Sequence, residues 1–273
     1  MTAADLDIRP AVRGSAALRW PDIPGLRRMI APVVLLAVWE AAARAGWISP
    51  VVLPAPSVIL SAAIRLTQDG ALGRAVGTSL FRLLTGFVLG SLAGFALGIA
   101  VGLSARAEEL FDGTLQALRA IPFLALAPVF SLWFGADEAS KIALVSFGAI
   151  FPLYLNTVAG IRAVDARLAE AARTFGVGRF GIVRDVVVPG AMPSILVGVR
   201  LSLSWALAAL VSSEIAGAGT GLGALIAQAR EFVQTDVVIL CVMIYALLGL
   251  ATDAIARVAE WGLLSWRRSF PGQ

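Results

Sequence analysis

The sequence predicts an all-α polytopic membrane protein of about six transmembrane helices, with N- and C-termini on the cytoplasmic side. Three observations predict it. First, 59% of the 273 residues are hydrophobic and only 15% are charged, with a mean hydropathy of +0.86. A soluble domain carries about 25% charged residues, so this chain has too little polar surface to face water all round. Second, apolar runs long enough to cross a bilayer recur between short polar turns. Third, the arginines divide unequally between the two sets of turns, which orients the bundle.

Residues 1–28 are polar and hold Arg9, Arg13, Arg19, Arg27 and Arg28. So long a lead does not fit a signal peptide, and it reads as a cytoplasmic tail before a permease-like membrane domain of residues 29–273. The first span is expected from Met29 to Trp47, with Glu40 and Arg44 spaced to pair along the helix. Leu-Pro-Ala-Pro-Ser at 53–57 breaks that helix, because proline lacks a donor and clashes with the preceding turn. Val58 to Leu72 then reads as an amphipathic helix lying near the surface.

The second span, Leu83 to Ala105, contains no charge. Gly86, Gly90, Gly94, Gly98 and Gly102 recur every four residues along it. Such a bare stripe lets another backbone approach closely and predicts tight helix packing rather than a substrate site. A polar turn from Ser104 to Asp112 leads into the third span, where Pro122 and Pro128 interrupt the apolar run. Interruptions of that kind are tolerated beside neighbouring helices, so this span is expected to be kinked and interior. A loop from Phe134 to Lys141 precedes the fourth span, Ile142 to Ile161. The fifth runs from about Ala191 to Ser213 and the sixth from Val237 to about Trp261.

Between the fourth and fifth spans lies a polar, arginine-rich island, Asp165 to Pro189. Asp165 can cap the free N–H groups of a short helix, and Gly176 is a natural left-handed stop. Leu168, Ala171, Ala172 and Phe175 fall three and four apart on one face, with Arg167, Glu170 and Arg173 towards the other. A second short helix, Arg179 to Val188, is expected to end near Pro189. Two short helices bent at Gly-x-Gly predict a docking surface. The termini's side holds Arg9, Arg13, Arg19, Arg27, Arg28, Arg106, Arg162, Arg167, Arg173, Arg179, Arg184, Arg267 and Arg268. The opposite turns hold Arg65, Arg74, Lys141 and Arg230. The island is therefore expected in the cytoplasm.

Composition also excludes whole classes of chemistry. With no histidine, histidine-based general base catalysis, Ser-His triads and histidine metal sites are absent. A single cysteine, Cys241, excludes intrachain disulfides, thiolate zinc sites and iron–sulfur cages; it reads as a small buried residue. No metal site is expected. Lys141, the only lysine, follows no glycine-rich phosphate loop, so ATP is not bound by that route. The net charge of +4 fits a membrane surface better than nucleic acid.

Ionisable residues in or near the spans are Glu40, Arg82, Glu214 and Asp253, all towards span ends, where pairing, snorkelling or capping would account for them. Glu214 stands out, because glycines 217, 219, 221 and 223 follow it directly. A carboxylate beside a bendable segment can shape a translocation gate, with Glu214, Gly217, Gly221, Gly223, Pro122 and Pro128 as its candidate residues. The competing reading is a loop turn with a solvated acid.

Glu170-Ala-Ala-Arg-Thr-Phe-Gly176, nine residues, then Val186-Val-Val-Pro189 resembles the signature loop of permease subunits of bacterial ABC importers. Glu170, Ala171, Ala172, Gly176 and Pro189 match in place, and Val186 and Val188 stand where the family pattern has Ile and Leu. The likeness covers roughly residues 50–265. Arg119–Pro128, Trp133–Lys141, Phe151–Arg162 and Glu214–Gly223 resemble the sulfonate, taurine and nitrate permease group, which includes relatives for thiamine-precursor pyrimidines.

The resemblance implies a type I importer fold with an importer-like core at about 75–262 and a coupling loop at 162–190. It implies alternating access by a permease homodimer, driven by a cytoplasmic ATP-binding subunit. ATP and magnesium would be held by that partner, no cofactor by this chain, and an external periplasmic solute-binding protein would deliver and select the cargo. In that reading Glu170, Ala171, Ala172, Phe175, Gly176 and Pro189 couple the chain to the ATPase, and the chain is no enzyme. Two rival classes are an ion-gradient-driven secondary transporter and an intramembrane enzyme. The first wants ionisable groups mid-span and usually a repeated bundle; the second wants catalytic residues that the sequence lacks.

Overall fold

The computed structural model describes residues 24–217 and 219–263, all as helices and short connections with no strand among them. The expected tail, 1–28, lies almost wholly outside the described residues, as do Arg267 and Arg268. In chain order the helices are α1 (Pro24–Arg44), α2 (Pro56–Gln68), α3 (Ala71–Leu103), α4 (Ala105–Arg119), α5 (Phe123–Phe134) and α6 (Glu138–Arg162). Then follow α7 (Ala166–Thr174), α8 (Arg179–Ile182), a π turn (Val183–Val187), α9 (Val188–Gly217), α10 (Leu222–Glu231) and α11 (Thr235–Leu263).

The core is a slab of three long helices, with α6 in the middle, α3 on one side and α9 on the other. The α3–α6 seam is made by absence of side chains. A methyl group on Gly90 would lie 2.1 Å from the Ser146 carbonyl oxygen, and one on Gly94 2.4 Å from that of Ile150. Gly86, Gly98 and Gly102 face Val145, Thr157 and Ile161 in the same register. Close approach of this kind substitutes dispersion contacts for the hydrophobic drive that lipid does not supply. On its other side α6 presents Gly148 to Ala209 and Gly160 to Ser194 of α9. The middle helix is therefore clasped by backbone on both faces. α11 and α10 pack on α9, α5 lies across α6 and α9, and α2 bridges α3 and α11.

Among the described residues four helical units are long and apolar enough to cross a membrane: Ala71–Leu103, Glu138–Arg162, Arg179–Gly217 and Thr235–Gly262. A fifth is broken. α4 and α5 meet at 102° around Pro122, whose fixed φ of −62° and missing donor start α5 afresh instead of continuing α4. The expected kinked helix is thus two helices, and Pro128 sits inside the second. The expected turn at 104–112 is helical as well, because the Ser104 hydroxyl accepts from the Ala107 N–H and caps α4. The expected first span differs most. Arg27, Arg28, Glu40 and Arg44 leave α1 no bilayer-length stretch as apolar as the others. Glu40 bonds Arg44 at 2.5 Å and also accepts from the Ser57 N–H at 3.0 Å, capping the start of α2 from outside.

Candidate functional site: a buried ion cluster at one end and an exposed loop at the other

The glycine stripe of α3 continues one turn towards its start as Ser79 and Arg82, which fall on the same face as Gly86. Both are fully buried. α3 runs parallel to α6 and antiparallel to α9, which brings them beside the first turn of α6, the last turns of α9 and the middle of α11. Arg82 donates from Nε and Nη2 to both oxygens of Glu138, at 2.6 and 2.5 Å, a two-pronged contact. Its Nη1 reaches Glu214 at 2.6 Å and the Thr220 carbonyl at 2.9 Å, and Nη2 also reaches the Thr220 hydroxyl. All five guanidinium N–H groups are thereby used.

Glu214 is 1% exposed, which rules out the solvated acid of a loop turn. It accepts from the Tyr245 hydroxyl at 2.6 Å, the Gly223 N–H at 2.9 Å and the Ser79 hydroxyl at 2.7 Å, besides Arg82. Ser79 in turn accepts from the Leu222 N–H at 3.0 Å. Lys141, expected in a loop, lies buried in the first turn of α6, 3.9 Å from Glu138. Two basic and two acidic groups make the cluster neutral. The turn from α9 to α10 closes over it through two glycines. Gly221 has φ +92°, where side chains are strained, and a methyl group there would lie 2.5 Å from Arg82 Nη1. One on Gly223 would lie 2.4 Å from the Glu214 Cβ.

The candidate gate residues do not all meet. Gly217 has open space around it and takes no part in the cluster. Pro122 precedes Phe123, whose ring packs edge-on against Trp205 at 5.8 Å. Trp205 is nine residues before Glu214, about 14 Å along the helix. Pro122 and the exposed Pro128 therefore belong to another level of the bundle.

The opposite end carries the 162–190 loop. The Asp165 carboxylate accepts from the Arg167 N–H at 2.9 Å and starts α7; Gly176, at φ +80°, ends it. The apolar face of α7 is split. Ala172, with Ala169, is half-buried against the apolar cluster that includes Ile182 and Val187, whereas Leu168, Ala171 and Phe175 point out. Neighbours in a helix differ by about 100° in direction, enough to send Ala171 and Ala172 opposite ways. Phe175 is 86% and Phe180 78% exposed. Glu170 is exposed beside them. The second short helix does not end near Pro189. α8, the π turn and α9 form one helical unit of 39 residues, and Pro189 lies inside it. Proline cannot donate to the carbonyl four residues back, which is Asp185, so the ladder widens into the π turn at that point.

A second intramembrane ion set joins α9 to α11. Arg200 donates to Asp253 at 2.6 Å, and Arg257 donates to the other oxygen of the same carboxylate. Of these only Asp253 was singled out in the sequence; Arg200, the one charge in the apolar run 191–213, was a signal passed over. No group of residues suited to a metal ion occurs among the described residues.

The family model for "binding-protein-dependent transport system inner membrane component" matches residues 86–263. A putative aliphatic sulfonates transport permease protein, SsuC of Bacillus subtilis (strain 168), is 41% identical over 90% of this chain and 90% of its own length. The protein of the same name from Escherichia coli (strain K12) is 42% identical over 88% of this chain and 91% of its own. The taurine transport system permease protein TauC of Escherichia coli (strain K12) is 32% identical over 91% of this chain and 92% of its own. Among solved structures, a chain of the inward-facing MetNI methionine ABC transporter, CY5 native crystal form, matches with a TM-score of 0.58. It is 21% identical over 70% of this chain and 97% of that chain, a likeness of fold.

The chain belongs to the family of inner membrane components of binding-protein-dependent transport systems. It is the permease subunit of an ATP-driven ABC importer, a multi-pass inner membrane protein with a type I importer-like fold. The gradient-driven and enzymatic alternatives fall away: relatives are named as transport permeases, and ATP hydrolysis in such importers belongs to a partner ATPase. The family also implies an external binding protein.

Proposed function

We propose that this permease carries an aliphatic sulfonate, with taurine among its cargoes, and that the 162–190 loop receives the drive from the ATPase. The cargo follows from the names of its relatives, the two near 40% identity and the taurine permease. One observation carries the coupling: Leu168, Ala171, Phe175 and Phe180 stand in solvent on short helices hung between two core helices. Exposed apolar residues rimmed by Glu170, Arg167 and Arg173 form an interface core with a polar rim. Gly176 sets the bend, and Pro189 and its π turn set the angle at which α8 meets α9.

The arginine-rich loop end then faces the cytoplasm, and the Arg82–Glu214 cluster lies at the external end, where the binding protein delivers. There Glu214, Gly221 and Gly223 fix the α9–α10 turn; Gly217 beside it, and the break at Pro122 with Pro128 at another level of the bundle, lie where a gate can bend. Two copies of the 75–262 core form the pathway. The test is uptake by the importer reconstituted with its ATPase and binding protein. Labelled ethanesulfonate and taurine are expected to accumulate with ATP, and nitrate or a pyrimidine is not. Uptake of nitrate or pyrimidine alone overturns the cargo. For coupling, Gly176→Pro and Glu170→Arg are expected to abolish co-purification of the ATPase. Normal association and uptake in both variants overturn the loop's role.

A further inference from the structure

Arg200 sits about 21 Å along α9 from Glu214 and Asp253 about 12 Å along α11 from Tyr245, which puts their pair well inside the apolar slab. Charged groups at such depth are costly unless matched. The match is incomplete. One carboxylate, Asp253, takes the Nε of Arg200 and both Nε and Nη2 of Arg257. Two positive groups share one negative group, so the set carries a net charge of +1. Asp253 holds Arg200 by its inner edge only, and no other hydrogen bond engages the Arg200 side chain among the described residues. The Arg200 side chain is 40% exposed, and Arg200 shares its face of α9 with the exposed Ser204, one turn on.

A guanidinium with its Nη fork free, anchored by a carboxylate on its Nε, is built to hold a tetrahedral oxyanion through two parallel N–H···O contacts. We propose that Arg200, positioned by Asp253 and flanked by Arg257, is an intramembrane oxyanion site. Its ligand is a sulfonate in transit or the phosphate of an anionic lipid, which present the same oxygen geometry and charge. The sulfonate arm rests on the cargo proposed above; the lipid arm does not.

The test uses the purified permease–ATPase complex without binding protein, so that cargo selection by that partner does not enter. Two probes are measured at equilibrium: labelled ethanesulfonate, and phosphatidylglycerol retained from mixed phosphatidylcholine micelles. Arg200→Gln is expected to lower the affinity of one probe by about ten-fold or more, the worth of one charge-assisted two-pronged contact. Arg200→Lys keeps the charge without the fork and falls between. Asp253→Asn keeps an oxygen that accepts from the Arg200 Nε but removes the negative charge that repels an anion, and is expected to raise the affinity. A merely structural α9–α11 tie would not give that opposite sign, since both substitutions would then weaken the complex alike. Melting of each variant in detergent confirms that it is folded. Loss of ethanesulfonate binding alone assigns the site to the cargo, and loss of phosphatidylglycerol alone assigns it to lipid. If wild-type complex moves no sulfonate, the cargo reading fails and the lipid probe decides the site by itself. Both affinities unchanged in Arg200→Gln, or both substitutions acting in the same direction, overturn the proposal.

Discussion

The two ends of this bundle treat polar and apolar groups in opposite ways. At one end a guanidinium, the Glu214 carboxylate and a phenol are withdrawn from water, and with the half-exposed Glu138 they are bonded until Arg82 has no free donor. At the other, two phenylalanines and a leucine are held out in water by a capped helix. The first end has its buried polar groups matched within the chain. The second is incomplete alone. The contrast teaches where rigidity and where assembly have been built into a permease that must both hold its shape and be driven.

The contrast can be tested by substitution, beginning with the largest effect. Arg82→Met leaves Glu214 buried without its counter-charge, although the shape is nearly kept. Removing one partner of a buried ion pair is expected to destabilise by about 3–5 kcal/mol. Thermal melting in detergent and the level of folded protein in the membrane would show it. An unchanged melting temperature would mean that the cluster does not hold the α9–α10 turn.

The seam between the ends comes next. Gly90→Ala drives a methyl group into the Ser146 carbonyl and is expected to cost about 1–3 kcal/mol through overpacking. Gly77→Ala, two residues before Ser79 of the cluster with open space around it, is expected to be neutral or to stabilise by up to about 1 kcal/mol. Equal effects would remove the case for backbone packing as the determinant. At the loop end, Gly176→Ala keeps open space but forces a side chain to φ +80°, for about 1–2 kcal/mol. The smallest effect on stability is expected for Phe175→Asp, within about 0.5 kcal/mol for so exposed a site. That same substitution is expected to lose the ATPase in co-purification, so the two measurements part company at one residue.

Features encoded by local spacing were legible in the sequence, and features assembled across it were not. The five-glycine stripe, the Asp165 cap and the Gly176 stop are each set by residues within a turn or two of one another. The ion cluster draws on α3, α6, α9, α11 and the turn before α10, so no window of sequence contains it. One signal was present: Ser79 and Arg82 prolong the glycine stripe, and polar residues on a face too tight for side chains must meet partners across it. The break at Pro122 was visible as an interruption, but its 102° angle depends on α5 finding α6 and Trp205. The split of the α7 face was hidden because period alone treats Ala171 and Ala172 as one side. Pro189 read as an end because proline usually stops a helix; here the π turn absorbs it and the helix goes on.

That continuity has a mechanical meaning. A single shaft of 39 residues, Arg179 to Gly217, starts beside Phe180 and Gly176 and finishes just past Glu214. At about 1.5 Å per residue it is about 57 Å long, so a tilt of about 5° at its foot sweeps its head sideways by about 5 Å. The Arg82 cluster grips that head on three other helices. A small rotation imposed at one face of the membrane thus arrives at the other as a displacement the size of a side chain, carried by the whole clasped group rather than by one loose strut.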